Sequence, residues 1–375
     1  MIYGTRVRQA REFRQVQQGV LASRLDISGG RLSQIEHSES VAVSPDQLEA
    51  LAANLRMPTR FFQMPPTDEL GEGSMRFRAQ VKVSKRVRSA ARREADMALE
   101  VYEHLLDRVE VPSPKVPAFP ATTDLEEAAE HARAALGISP DAVIPKAIRE
   151  VERAGVVVVS VETHVDQHLD GFSSWWGPER QHPVIALSTA MPWDRLRHTV
   201  IHELAHLILH RGPGMGDLNG REIERAADHF AGAFLFPRDA ALEEMPRTVT
   251  LRQLVPLKQR WGVSIGSLLA RAGQLNLIDE HQATSLWKQM SARGWRTREP
   301  LAELKRWEKP RALRKMAEIV YGDPIDVGAL ANAVGRFRID MQAELDRYET
   351  TRSDGKNPAV DRELADVIRL SDRRR

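Results

Sequence analysis

The chain of 375 residues contains no cysteine. Disulfides and thiolate metal sites are thereby excluded, and a zinc ion would have only His, Asp and Glu to hold it. No run approaches the roughly 18 apolar residues that a membrane-spanning helix needs. The stretch from Met1 to Gln15 also lacks the apolar centre of a signal peptide. A cytoplasmic protein with no membrane partner is the expectation. Acidic residues are missing from 73–93, where Arg76, Arg78, Lys82, Lys85, Arg86, Arg88, Arg92 and Arg93 follow one another.

What is present is ordinary for a globular protein: 42% hydrophobic and 28% charged residues, in a chain long enough for two or three domains. The charge is uneven. Residues 1–93 hold 16 Lys+Arg against 9 Asp+Glu, and the remainder hold 38 against 43. A basic N-terminal quarter on a mildly acidic body points to a polyanion-binding module joined to something else. The basic run itself has two readings, extra phosphate contacts or a face turned to an acidic surface.

The most informative motif is His202-Glu203-Leu204-Ala205-His206, set between Thr199-Val200-Ile201 and Leu207-Ile208-Leu209. A helix turns about 100° per residue, so histidines four apart lie one above the other and can share one Zn²⁺. The glutamate between them is then placed to act as general base on a water. A catalytic zinc takes three protein ligands and keeps one position open. Glu224, on the helix expected to follow at 220–236, is the choice for the third. Asp228, one turn on, is placed to accept the free N–H of a ligating histidine. Ala226, Ala227 and Ala231 are small enough for the two helices to approach closely. Glu222 is the fallback ligand, pointing about 200° away from Glu224 on an ideal helix. Without a metal, the same run reads as an amphipathic helix with hydrogen-bonded histidines. His164, His168, His198, His210 and His229 read as solvated, and the loop Asp170 to Ser173 as a possible wall of the cleft.

Helices are expected at Thr5–Phe13, Gln18–Leu25, Gly30–Glu36 and Pro45–Leu55, the last capped by Ser44. A basic helix should follow at Ser84–Val109, ended by the proline-rich stretch 111–117. Further helices are expected at Leu125–Leu136 and Ile144–Ala154, and strands at Val156–Val161, Phe172–Trp176 and Val184–Leu187. The motif helix should span 193–210, a glycine-rich loop 212–216, and helices the region after 248, with a fraying tail from about Thr350. The fold class is therefore mainly α with a small β-sheet, α+β. Four regions result: a helix-turn-helix module at 1–63, a connector with a basic helix at 64–120, a metallopeptidase domain at 121–247 and a helical C-terminal region at 248–375.

Two resemblances sharpen this. The segment from about 145 to 240 resembles the ImmA/IrrE-like zinc metallopeptidase family, through the strand at Val184-Ile185-Ala186-Leu187, the run His202 to His210, and Glu224 to Pro237. Its ending Phe234-Leu235-Phe236-Pro237 departs from the common Leu-Leu-Met-Pro. The resemblance implies His202, His206 and Glu224 as zinc ligands and Glu203 as general base. The first 60 residues resemble the Xre/Cro/CI repressor family, through Gln18–Ala22, Ser28–Glu36 and the tail Leu48 to Phe62.

Gln18 at the start of the second helix is expected to touch phosphate. Arg31, Ser33 and Gln34 on the third are expected to meet bases or backbone of double-stranded DNA. Gly29 and Gly30 leave two reading positions without side chains, which implies low sequence specificity. A protein-interaction module of the same shape is the other reading. Together these imply a DNA-binding regulator with a zinc metallo-endopeptidase acting on a regulatory protein, such as a repressor, and by analogy a homodimer. The rival is a regulator whose peptidase-like domain is a non-catalytic sensor or scaffold.

Overall fold

The computed structural model describes residues 1–71, 76–79, 84–120, 123–162, 169–188, 191–210, 220–301, 308–349 and 369–370. Lys82, His164, Asp166, His168, the loop 212–216 and nearly all of the tail from Thr350 lie outside the described residues.

The chain opens with α1 (Gly4–Phe13), α2 (Gln18–Arg24), α3 (Gly29–His37), α4 (Pro45–Leu55) and α5 (Thr59–Gln63). These bury Val7, Leu21, Leu32, Ile35, Leu51, Phe61 and Phe62 in one cluster. Ser28 caps α3 through the Arg31 amide, and Ser44 forms a full capping box with Gln47 on α4. Gly4 is required by close packing: a Cβ there would lie 1.8 Å from the Ile35 carbonyl oxygen.

Next come β1 (Arg76–Ala79), α6 (Lys85–Leu106), β2 (Val109–Glu110), α7 (Leu125–Ala135), α8 (Ala147–Arg153), β3 (Val157–Val161), β4 (Leu169–Trp176) and β5 (His182–Ser188). They are followed by α9 (Trp193–Leu209), α10 (Gly220–Leu235), α11 (Arg238–Glu244), α12 (Leu251–Trp261), α13 (Ile265–Gln274) and α14 (Glu280–Ala292). The chain closes with α15 (Ala312–Tyr321), α16 (Val327–Ala333), α17 (Arg338–Leu345) and β6 (Arg369–Leu370), which pairs with β2.

The main sheet has the order β1-β4-β5-β3, with β3 and β5 parallel and both other pairings antiparallel. The architecture is mainly helical with this one small mixed sheet, the expected α+β class. Side chains alternate across the strands as period two demands. Val158, Ile185 and Leu187 join the core beneath α8, α9 and α10, whereas Val157, Val159, Val161, Val184 and Ala186 join a second core on the other face.

That second core is built by α6 and α15–α17, so the basic helix is more than a spacer. Its Ala91, Ala95, Ala98, Leu99 and Leu105 are buried against the sheet. Two members of the basic run are buried with it. Arg93 lies fully buried among Glu12 at 2.6 Å, Glu69 at 2.9 Å and Asp96 at 3.1 Å, and Arg92 is buried beside it. The acidic surface met by this end of the run is thus the chain's own, while Arg86 and Arg88 are exposed.

The N-terminal bundle docks onto this body through a buried pair. Arg6 donates to Glu100 on α6 at 2.5 and 2.9 Å and to the Pro65 carbonyl oxygen at 2.6 Å. Its guanidinium also sits over the Phe61 ring, 4.7 Å from the centroid. Gly335, with φ +64°, brings the turn before α17 against α5, where a Cβ would lie 2.7 Å from the Met64 sulfur.

Candidate metal centre

The site forms where α9 crosses α10. α9 is buried along nearly its whole length, because it lies between the sheet and α10. Each fully buried Val, Ile or Leu of this helix contributes about 1.5–3 kcal/mol. Ala227 and Ala231, both fully buried, let α10 approach, and Phe230 stacks on Phe234 one turn further along.

Two pairs spaced by four residues then face each other. His202 and His206 are buried on α9, and Glu224 and Asp228 lie on α10. The two histidine Nε2 atoms are 3.1 Å apart. The Glu224 oxygens lie 3.3 Å from His202 Nε2 and 3.4 Å from His206 Nε2. Metal bonds of about 2.0–2.1 Å in a tetrahedron place ligand atoms about 3.3–3.4 Å apart, so three corners match and one stays open.

The chemistry of the donor set agrees. His202 Nδ1 lies 2.8 Å from Asp228 Oδ1, and His206 Nδ1 lies 2.9 Å from His210 Nδ1. With the ring protons on Nδ1, both Nε2 lone pairs and a carboxylate converge on one point, an arrangement that a cation stabilises. Burial favours the neutral Glu224 carboxyl, but when His202 and His206 carry protons on Nε2 their hydrogen bonds and charge outweigh it and hold the group well below the usual carboxylate range. Positive charge at this point, from protons or from a cation, thus keeps Glu224 ionised. These residues fit zinc.

Glu203 is fully buried on α9, and its Oε2 accepts the Ser173 hydroxyl at 2.7 Å. The strand expected at Phe172–Trp176 is present but starts earlier: β4 begins at Leu169, so Asp170 and Gly171 are strand and not loop. Gly171 makes the approach of β4 possible: a Cβ there would come within 2.8 Å of the Ala186 carbonyl oxygen and 3.3 Å of the Thr199 methyl. Beside it, Asp170 accepts from Arg195 at 2.5 Å. Ser173, expected only as part of a cleft wall, is the residue whose contact with Glu203 the sequence does not show. Its one signal is the serine pair Ser173-Ser174 set among the aromatic residues of the expected strand Phe172–Trp176.

The remaining histidines divide by position. His210 backs His206, and His229 lies 2.7 Å from Glu126 Oε1, in the contact between α10 and α7. His198 forms a second close group with His202 and Asp228. Glu222 is exposed and belongs to neither group found among the described residues.

The N-terminal candidates are arranged on α2 and α3. Arg31 and Gln34 are exposed on α3, and Ser33 is half-buried. Gln18, at the start of α2, donates to Glu36 at 2.9 Å, and Glu36 in turn accepts from Arg11 at 2.5 Å.

No helix among the described residues is long and apolar enough to cross a membrane. No curated protein matches the chain. Residues 151–272, which run from α8 into α13 and include every residue of the metal centre, match the family model of the IrrE N-terminal-like domain, Peptidase_M78.

Proposed function

We propose that the chain is a DNA-binding regulator carrying a zinc-dependent endopeptidase, which hydrolyses a regulatory protein such as a helix-turn-helix repressor. The observation that carries this reading is the convergence of His202, His206 and Glu224 next to a buried Glu203 oriented by Ser173. Those three residues would hold the metal. Zinc, when bound, supplies Lewis acidity toward a carbonyl and lowers the pKa of water.

The chain's own residues do the rest. Glu203 takes a proton from the attacking water and returns it to the amine nitrogen as the peptide C–N bond breaks. Ser173 fixes the rotamer of Glu203, and Asp228 and His210 fix the histidine rings. Exposure of Arg31 and Gln34 on a capped α3 supports DNA as the ligand of the N-terminal module. The test is incubation of the zinc-loaded chain with candidate helix-turn-helix regulators, with mass spectrometry of the products. A fragment pair from one defined bond is expected. Intact regulators at full zinc occupancy contradict the reading.

One observation favours a sensor without turnover. A cavity of about 400 Å³ beside the centre is lined by Asp228 and His198 and walled by Trp287, Met290 and Trp295. On that reading Glu203→Gln leaves regulation by the protein intact.

A further inference from the structure

We infer that the outer edge of β4 is a docking edge for an extended peptide strand, and that the chain's own connector, Arg76–Ala79, holds this edge in cis. The inference rests on the peptidase reading for its consequence, but not for its geometry.

The inner edge of β4 pairs with β5 from Gly171 to Trp176. Its outer edge presents backbone N–H and C=O groups that an added strand satisfies. β1 fills that place in antiparallel register, with Arg76 opposite Ser173, Phe77 opposite Phe172, Arg78 opposite Gly171 and Ala79 opposite Leu169. Ser173 is the residue that donates to Glu203. A strand on this edge therefore runs past the candidate general base, which is where a protein substrate has to lie.

The occupant is well tethered but weakly paired. Trp176, at the end of β4, donates from Nε1 to the Asp68 carbonyl oxygen at 2.9 Å. The Leu70 amide donates to Asp96 on α6 at 2.8 Å, and Glu69 accepts from Gln9 on α1 at 3.0 Å. The connector thus starts from a cluster shared by the N-terminal module and α6, and its residues Arg76–Ala79 run antiparallel to β4 from Ser173 back to Leu169. The pairing covers four residues and shifts register between Arg78 and Ala79. So short a ladder has little local stability, and backbone pairing carries little sequence selectivity, so a foreign strand can displace it. Substrate entry and release of the connector become one exchange, and a shift of the N-terminal module loosens the tether.

The test uses the full chain with F77P/R78P. Adjacent strand residues direct their N–H groups to opposite edges, so the double substitution removes whichever donor faces β4. Hydrogen exchange of residues 169–173 is expected to quicken about tenfold and to slow again when a synthetic peptide of residues 72–83 is added. The single variants serve as the folding control: one should reproduce the double variant and the other should not. Unchanged exchange, or equal effects of the two single variants, overturns the inference. Hydrolysis of an unstructured protein by the zinc-loaded double variant should rise several-fold over the parent; an equal, measurable rate in both overturns the blocking role. If neither chain hydrolyses anything, the peptidase reading fails, and the exchange data alone still decide whether β4 is a docking edge.

Discussion

Ser173 on β4 donates its hydroxyl to Glu203 on α9 across 2.7 Å, with both side chains buried. The bond ties the sheet to the helix of the candidate metal centre and fixes the direction of the carboxylate. Ser173→Ala should therefore slow peptide hydrolysis about tenfold while leaving zinc stoichiometry and KM unchanged, since positioning of a general base is lost and not the base itself. Steady-state kinetics on the zinc-loaded variant checks this. An unchanged kcat removes Ser173 from the machinery.

Asp228 lies 2.8 Å from Nδ1 of His202, one of the residues that would hold the metal. Asp228→Asn should weaken zinc binding by about 10–100-fold, the usual cost of losing such a partner. Competition against a chromophoric chelator measures it. Glu222→Gln, on the same helix but outside the centre, should leave the affinity unchanged.

Acid stability should depend on Glu126. This carboxylate accepts from Arg271 at 2.5 and 2.6 Å and lies 2.7 Å from His229, joining α7 to α10 and α13. Burial raises its pKa, but the bonds and charge of Arg271 and His229 prevail and lower it to about 2. A carboxyl depressed in the folded state stabilises above its unfolded pKa and loses that contribution as pH falls through the folded value. The loss should thus run from about pH 4.5 down to 2. Glu126→Gln should cost about 1–3 kcal/mol at neutral pH and flatten the acid limb of a thermal-unfolding series.

The N-terminal module should detach when its buried ion pair is broken. Glu100→Ala leaves Arg6 buried without its carboxylate, a loss of about 3–5 kcal/mol. The double change Arg6→Met with Glu100→Leu should recover most of it. Urea unfolding of the full chains distinguishes the two, and equal stability of both variants contradicts the assigned role of the pair.

DNA binding should fall by about 1–3 kcal/mol for each base-contacting residue removed from α3. Arg31→Ala and Gln34→Ala in the full chain test this by gel shift at several salt concentrations. Retention of parental affinity by both variants would leave the bundle as a protein-interaction module.

The elements legible in the sequence were those fixed by local rules. Ser44-Pro45 marked the start of α4, and the spacing of His202, His206, Glu224 and Asp228 anticipated two facing pairs, because residues four apart share a helix face. What the sequence hid depends on distant pairing. Ser173 meets Glu203 only because Gly171 lets β4 sit against α9. β1 is four residues long and takes its conformation from its partner strand. Arg92 and Arg93 read as phosphate contacts or as a face turned to an acidic surface, and only the tertiary fold shows that surface to be the chain's own, with Glu12 from α1 and Glu69 from the connector. Tertiary context decides all three.

The most direct test of the central claim is the ratio of cleavage rates of the parent and Glu203→Gln on one regulator substrate, at matched zinc occupancy. The expected ratio is about 10²–10⁴, the contribution of a positioned general base, with one zinc per chain retained in both. Equal rates would contradict catalysis by Glu203 at this centre.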